Sequence, residues 1–386
     1  MSNLATIPGL VNVHSHTFQR IIRGRTEHRT AAARDTFWTW REAMYRAANL
    51  LTPDDVYHVA RMAFLEMAMS GITTVGEFHY LHHAPDGTPY EDRNLLALQV
   101  ARAAKEIGLR LVLLRTAYAR GGQPRFLTPD PEQFIRDTDD LRAGGLAVGI
   151  APHSVRALPL EYIMKIASYA RVHGLPCHMH VAEQPGEVEQ CIAEHGVTPV
   201  RLLHEHGLLD DRFTAVHAIH VTDDEIDYLA EAKAHVCACP TSERNLGDGA
   251  VPADRYGQAG VGICLGSDSN TQIDLLEDAR LLEYHLRMSK LERAILTTEQ
   301  LFESATKQGA QALGIGVTGD YVTVNLDDLS IAGSGPEALA ANIVFSLERT
   351  AIKDVVVNGK PIIRDGHHEL EDEVIARFKT VCLTFV

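Results

Sequence analysis

Basic residues are scarce in this chain. Its 386 residues carry 36 Lys and Arg against 51 Asp and Glu, a formal net charge of −15. Phosphate backbones and anionic lipids share that sign, so the composition gives nucleic acid and membrane surfaces no electrostatic footprint. Long hydrophobic runs are missing as well, since no stretch approaches the roughly 18 apolar residues needed to span a bilayer. The opening MSNLATIPGL has neither the charged nor the hydrophobic region of a secretory signal, so a cytoplasmic protein is expected. Six cysteines are spread over the whole length, and only Cys237 and Cys239 lie close together. That is no disulfide framework; they read as reduced, mostly buried residues. Solenoid repeats, low-complexity tracts and long linkers are also absent.

What is present is 45% hydrophobic residues, enough to bury a large core in one big catalytic domain with a small appendage. Short β-branched or apolar runs recur, each followed by a stretch with helical spacing of apolar residues. They are Gly9 to Val13, Ile72 to Val75, Leu111 to Leu114, Ala147 to Ile150, Cys177 to Val181, Thr214 to His217, His235 to Ala238 and Val261 to Leu265. The segments 54–70, 94–107, 160–173 and 269–291 repeat apolar residues every three or four positions, as helices around a barrel do. The fold class is therefore α/β: a (β/α)8 TIM barrel over 8–314, with a small, reduced β appendage from 1–7 and 315–386. An open doubly wound sheet fits less well. No Gly-x-Gly-x-x-Gly turn follows the first strand, and polar residues gather at nearly every strand's C-terminal end rather than at one switch point. After a last helical stretch, Thr298 to Leu313, short strands are expected at Tyr321 to Leu326, Ala341 to Phe345 and Asp354 to Val357, the last followed by an Asn358-Gly359 turn.

The histidines carry the chemical signal. His14 and His16 end the first strand two residues apart, so both side chains project the same way and can close on one ion. Alone, His-x-His is a weak motif. His180 ends the fifth strand, His217 the sixth, and Asp268 follows the eighth within Gly266-Ser267-Asp268-Ser269. Barrel active sites draw residues from several strand ends, so these side chains are expected to converge. Three imidazoles and one carboxylate, His14, His16, His180 and Asp268, make a catalytic site for one divalent ion, Zn2+ in preference to Fe2+ or Mn2+. The ion lowers the pKa of bound water to roughly 7 and so supplies a nucleophile. At the fourth strand's end stands Ala151-Pro152-His153 and no lysine, which argues against a bridging carbamate and a second ion. Glu183, three residues beyond His180, is the expected general acid and base, with Asp268 and His217 as further catalytic groups. The bland alternative makes Glu183 a surface carboxylate capping the next helix, because Gln184 and Pro185 resemble a helix start.

Taken together, these residues resemble the amidohydrolase superfamily and, more narrowly, the formimidoylglutamate deiminases of histidine degradation. The resemblance rests on Pro-Gly-Leu-Val-Asn-Val-His-Ser-His-Thr-Phe-Gln-Arg at 8–20, Phe-Trp-Thr-Trp-Arg-Glu at 37–42 and Gly-Glu-Phe-His-Tyr-Leu-His-His at 76–83. It continues through Pro-His-Ser-Val-Arg at 152–156, His-Met-His-Val-Ala-Glu-Gln at 178–184, Val-His-Ala-Ile-His at 216–220 and Asn-Leu-Gly-Asp-Gly at 245–249. It implies a metal-dependent hydrolase that converts N-formimino-L-glutamate to N-formyl-L-glutamate and ammonia, as a homodimer. It also implies that Gln19 contacts the formimino group, while Arg41, Tyr80, His153 and Arg156 hold the carboxylates of a small dicarboxylate substrate. A guanidinium fork does suit a carboxylate. Trp38 and Trp40 are expected to pack as a lid. Family members carry several strands before the first barrel strand, and this chain does not, hence the reduced appendage. Two rivals remain: a deaminase of a nucleobase or related heterocycle on the same scaffold, and a non-catalytic barrel.

Overall fold

The computed structural model describes residues 3–30, 34–316 and 318–385. Eight parallel strands run in chain order around a barrel: β2 (Leu10–Ser15), β3 (Ile72–His79), β4 (Arg110–Ala117), β5 (Val148–Pro152), β6 (Cys177–Val181), β7 (Phe213–His217), β8 (His235–Ala238) and β9 (Gly262–Leu265). Most are buried along their whole length, which is why they read as continuous apolar or β-branched runs instead of alternating ones. The helices form the outer layer. One of them, α2 (Pro53–Met69), begins with Pro at its first position, and the Thr52 hydroxyl accepts the Asp55 N–H there. The TIM barrel expected from the sequence is the fold observed.

The ring closes between its first and last strands through polar contacts. Asp268 N–H donates to the His14 carbonyl and His16 N–H to the Asp268 carbonyl, each at 2.9 Å, around a parallel bridge pairing Ser15 with Asp268. Beneath them the Asn12 amide donates to Ser267 Oγ at 2.7 Å and accepts the Ser267 N–H at 3.0 Å. Ser267 Oγ in turn donates to Asn270 Oδ1, whose amide donates to Ser15 Oγ at 3.1 Å.

A second sheet uses both ends of the chain. Strand β1 (Leu4–Pro8) pairs antiparallel with β10 (Tyr321–Asn325), followed by β11 (Ile352–Val357) and β12 (Lys360–Ile363). The Asn358-Gly359 turn joins β11 to β12, a strand absent from the sequence expectation. Asp320 fastens this sheet to the barrel by accepting from Arg110 of β4 at 3.1 Å and from Asn358 N–H at 2.8 Å. One expected strand is a helix instead: Ala341 to Phe345 lies within Leu339–Phe345. The Leu-Ala-Ala start favours helix, and Arg280 caps its end by donating to the Val344 carbonyl at 2.7 Å. The stretch expected to be one helix over 298–313 is two, Thr298–Ser304 and Lys307–Ala312. Among the described residues no helix is long and apolar enough to cross a membrane.

Close strand packing sets a local test. A Cβ on Gly76 of β3 would lie 2.4 Å from the Val13 carbonyl oxygen and 2.6 Å from Leu313 Cδ2. Gly76→Ala should therefore cost about 1–3 kcal/mol by overpacking, read as a lower denaturant midpoint at unchanged slope; an unchanged midpoint would contradict this packing.

Candidate metal centre and active site

Four buried donor atoms from β2, β6 and the turn after β9 face one another. His14 Nε2 stands 3.1 Å from His16 Nε2, 3.2 Å from His180 Nε2 and 3.2 Å from Asp268 Oδ1, and His16 Nε2 is also 3.2 Å from Asp268 Oδ1. A tetrahedral ion with bonds of about 2.0–2.1 Å spaces its ligands by ~3.3 Å, so these separations match the edges of such a shell. The outer nitrogens fix the tautomers. His16 Nδ1 donates to the Phe78 carbonyl at 2.9 Å and His180 Nδ1 to the His153 carbonyl at 3.1 Å, leaving both Nε2 lone pairs pointing inward. Burial pushes the His14 imidazole down to about 3 and, with the neighbouring histidines, holds His180 well below its usual value. Neutral imidazoles are what a cation needs. Burial alone would raise Asp268, but the adjoining His14 and His16 overcome this and keep the carboxyl well below the ordinary range. The four positions fit one divalent ion.

The backbone here is unusual. Ala182, His217, Ala218, Asp268 and Asn270 all adopt positive φ, between 45° and 68°. Left-handed backbone is disfavoured for residues with a Cβ, and each such residue costs on the order of 1–3 kcal/mol. These lie just past the ends of β6, β7 and β9, where the strained turns aim side chains across the barrel mouth.

Glu183 is buried and caps no helix; Gln184 occupies the N-cap of the helix Pro185–His195. Its carboxylate lies 3.7 Å from His217 Nε2 and 3.6 Å from the Arg156 guanidinium. On the far side, His217 Nδ1 is 3.2 Å from Glu243, which also accepts the Cys239 N–H at 2.8 Å. Burial opposes a charge on His217, yet the carboxylate of Glu183 and the hydrogen bond to Glu243 push it up to about 10, so it stays protonated between two acids. Burial pushes Glu183 up, with His217 and Arg156 pulling the other way. Burial and the charge of Glu183 push Asp248 up to about 9.

A chamber opens over these groups. His16, His180, Glu183 and Asp268 form its floor, and Gln19, Tyr80 and His153 one wall. Arg41 and Arg156 also line it, and the Arg41 guanidinium sits 4.5 Å above the Trp38 ring and 5.5 Å from the Tyr45 ring. Gln19 donates to the Tyr80 hydroxyl at 2.9 Å, while its Oε1 and the Nε of both arginines are buried without partners. His14 lies below the floor, and His217 beside Glu183. Every residue singled out from the sequence thus belongs to one locality. Tyr45, Tyr118, Glu243 and Asp248 were not singled out. Tyr118 follows β4, which runs to Ala117 and not to Leu114, and the strand-end rule would have found it had the strand been read at full length.

Known proteins show the same architecture. The sequence pattern described as the amidohydrolase family matches residues 5–362. The formimidoylglutamate deiminase of Pseudomonas aeruginosa is 35% identical, over 98% of this chain and 88% of its own. A 5-methylthioadenosine/S-adenosylhomocysteine deaminase of Moorella thermoacetica is 27% identical, over 94% and 83%. An amidohydrolase from Brucella melitensis superposes with a TM-score of 0.92 at 35% identity, covering 99% of this chain and 90% of that one. The zinc complex of an atrazine chlorohydrolase from Arthrobacter aurescens, at 23% identity, shares the fold with a TM-score of 0.87 over 98% and 88%.

Gly266 links packing to the centre, because a Cβ there would meet His14 Cβ at 2.7 Å and the His14 carbonyl oxygen at 2.9 Å. Gly266→Ala should weaken metal affinity about 10–100-fold, the range seen when support around ligands is disturbed, while far-ultraviolet circular dichroism stays the same. Competition against a chromophoric chelator measures it; wild-type affinity in the variant would separate Gly266 from the site.

Proposed function

Because this chain belongs to the amidohydrolase family, we propose that it is a deiminase hydrolysing N-formimino-L-glutamate to N-formyl-L-glutamate and ammonia. The observation that carries this reading is that Arg41 and Arg156 line the same chamber as His16, His180 and Asp268 of the four-donor cluster. A substrate with two carboxylates and one hydrolysable amidine calls for both sets of groups. The relative sharing 35% identity over 98% of the chain carries the corresponding name.

Zn2+ is the proposed ion, held by His14, His16, His180 and Asp268; the donor set also accepts Fe2+ or Mn2+. When bound, such an ion lowers the pKa of coordinated water to about 7 and supplies the nucleophile at neutral pH. The chain does the rest. Glu183 takes the water's proton and returns it to the departing nitrogen. His217, kept protonated by Glu183 and Glu243, stabilises charge that develops at the reacting carbon. Gln19 Oε1, buried without a partner, accepts an N–H of the formimino group. Arg41, Arg156, Tyr80 and His153 hold the carboxylates, the guanidinium forks by paired hydrogen bonds.

The relatives named for adenosine derivatives make a nucleoside or nucleobase deaminase the second reading. Arg156 keeps Glu183 at 3.6 Å, but a neutral ring would leave the Arg41 guanidinium, which makes no ion pair among the described residues, without a counter-charge in the chamber, which is costly. Ammonia release across formimino amino acids and nucleosides separates the two. Release from N-formimino-L-glutamate is expected, and release only from nucleosides rejects the reading. Glu183→Gln should retain the metal and lose at least ~10²-fold in kcat; full turnover removes Glu183 from the chemistry. Arg41→Met and Arg156→Met should each raise KM about tenfold or more, in line with losing a charged hydrogen bond worth roughly 1.5–3 kcal/mol. Unchanged KM in both would favour the nucleoside reading.

A further inference from the structure

The chamber is closed to its surroundings on nearly every side, since its floor and wall residues are almost wholly buried. Its substrate must nonetheless reach it through a protein of net charge −15, which repels an anion at a distance. Two surface pockets abut the chamber. One is lined by Arg156 together with Gln190, Cys191, Ala193 and Glu194, and shares only Arg156 with the chamber. Opening that wall would pull Arg156 off Glu183, breaking a buried pair of opposite charges.

The other pocket, a cavity of about 310 Å³, lies over α1 (Phe37–Leu50) and shares Trp40 and Leu246 with the chamber. These two half-buried apolar side chains are the whole shared partition, and neither makes a hydrogen bond that rotation would break. The pocket's cationic lining comes from Arg25 and Arg46, against the single carboxylate of Asp35, which is occupied by the Thr30 N–H and hydroxyl. Arg25 donates to the carbonyls of Cys382 and Phe385. Arg46 is exposed and has no ion-pair partner among the described residues.

From this placement we infer that the pocket over α1 is an anion-collecting vestibule, and that Trp40 and Leu246 are the door through which a small dicarboxylate passes to Arg41 and Arg156. The inference rests on the dicarboxylate reading of the chamber. Arg46 draws the anion in by long-range attraction, so its contribution belongs to the association rate and is screened by salt. The arginines within the chamber then take over the two carboxylates.

The test uses the zinc-loaded protein and two readouts at about 20 mM and about 500 mM NaCl. The first is kcat/KM for ammonia release from N-formimino-L-glutamate. The second is the second-order rate at which dipicolinate, itself a dianionic dicarboxylate, removes the bound zinc. Arg46→Glu should lower both three- to tenfold at low salt, with kcat held and the gap closing at high salt. Leu246→Trp should slow both at either salt, and Ala193→Trp, which fills the pocket behind Arg156, should leave both alone. Equal zinc removal by wild type and Arg46→Glu at low salt overturns the vestibule, as does a block produced by Ala193→Trp in place of Leu246→Trp. If the wild type releases no ammonia while the dipicolinate rates follow the expected pattern, the vestibule stands and the proposed substrate falls.

Discussion

Everything in this molecule depends on the seam where the first barrel strand meets the last. Two of the metal-facing histidines stand on β2 and the aspartate just past β9, some 250 residues later. Only ring closure brings them together. The closing contacts are made by the same residues: backbone bonds from Asp268 to His14 and from His16 to Asp268, braced below by Asn12, Ser267 and Asn270. The ligand set is therefore a property of the architecture and not of a loop.

The electrostatics follow from that burial. The site concentrates carboxylates that lack enough positive charge around them. Burial raises Glu183 and Asp248, and Arg156 and His217 are the cations that counter it. A cation at the four-donor cluster would bring the region nearer to balance. The left-handed turns at Ala182, His217 and Asp268 belong to the same economy, with backbone strain retained where it aims side chains.

The barrel was legible because its strands are buried on both faces and so read as uninterrupted apolar runs, and because its helices keep a regular apolar spacing. The metal cluster was legible because imidazoles at successive strand ends have little other reason to recur. What was not legible depends on neighbours. Ala341 to Phe345 looks like a strand by β-branched content, but its preceding alanines and the Arg280 cap make it a helix. Glu243 stands in the short helix Pro240–Leu246 and Asp248 just beyond it, and their importance comes from the charges they set beside His217 and Glu183 at the barrel mouth. The second sheet was underestimated because β12 is short and half-exposed, with no periodicity to announce it.

The outer sheet also bears on how the molecule comes into being. Leu4–Pro8 finds its partner only in Tyr321–Asn325. On the ribosome, then, this strand must wait for more than three hundred further residues before its edge is covered. The barrel's own closure waits for β9 as well, so neither seal can form before those residues are made. Assembly of the catalytic centre is thereby tied to synthesis of the last barrel strand, and a product terminated before it would hold histidines with no aspartate to meet them.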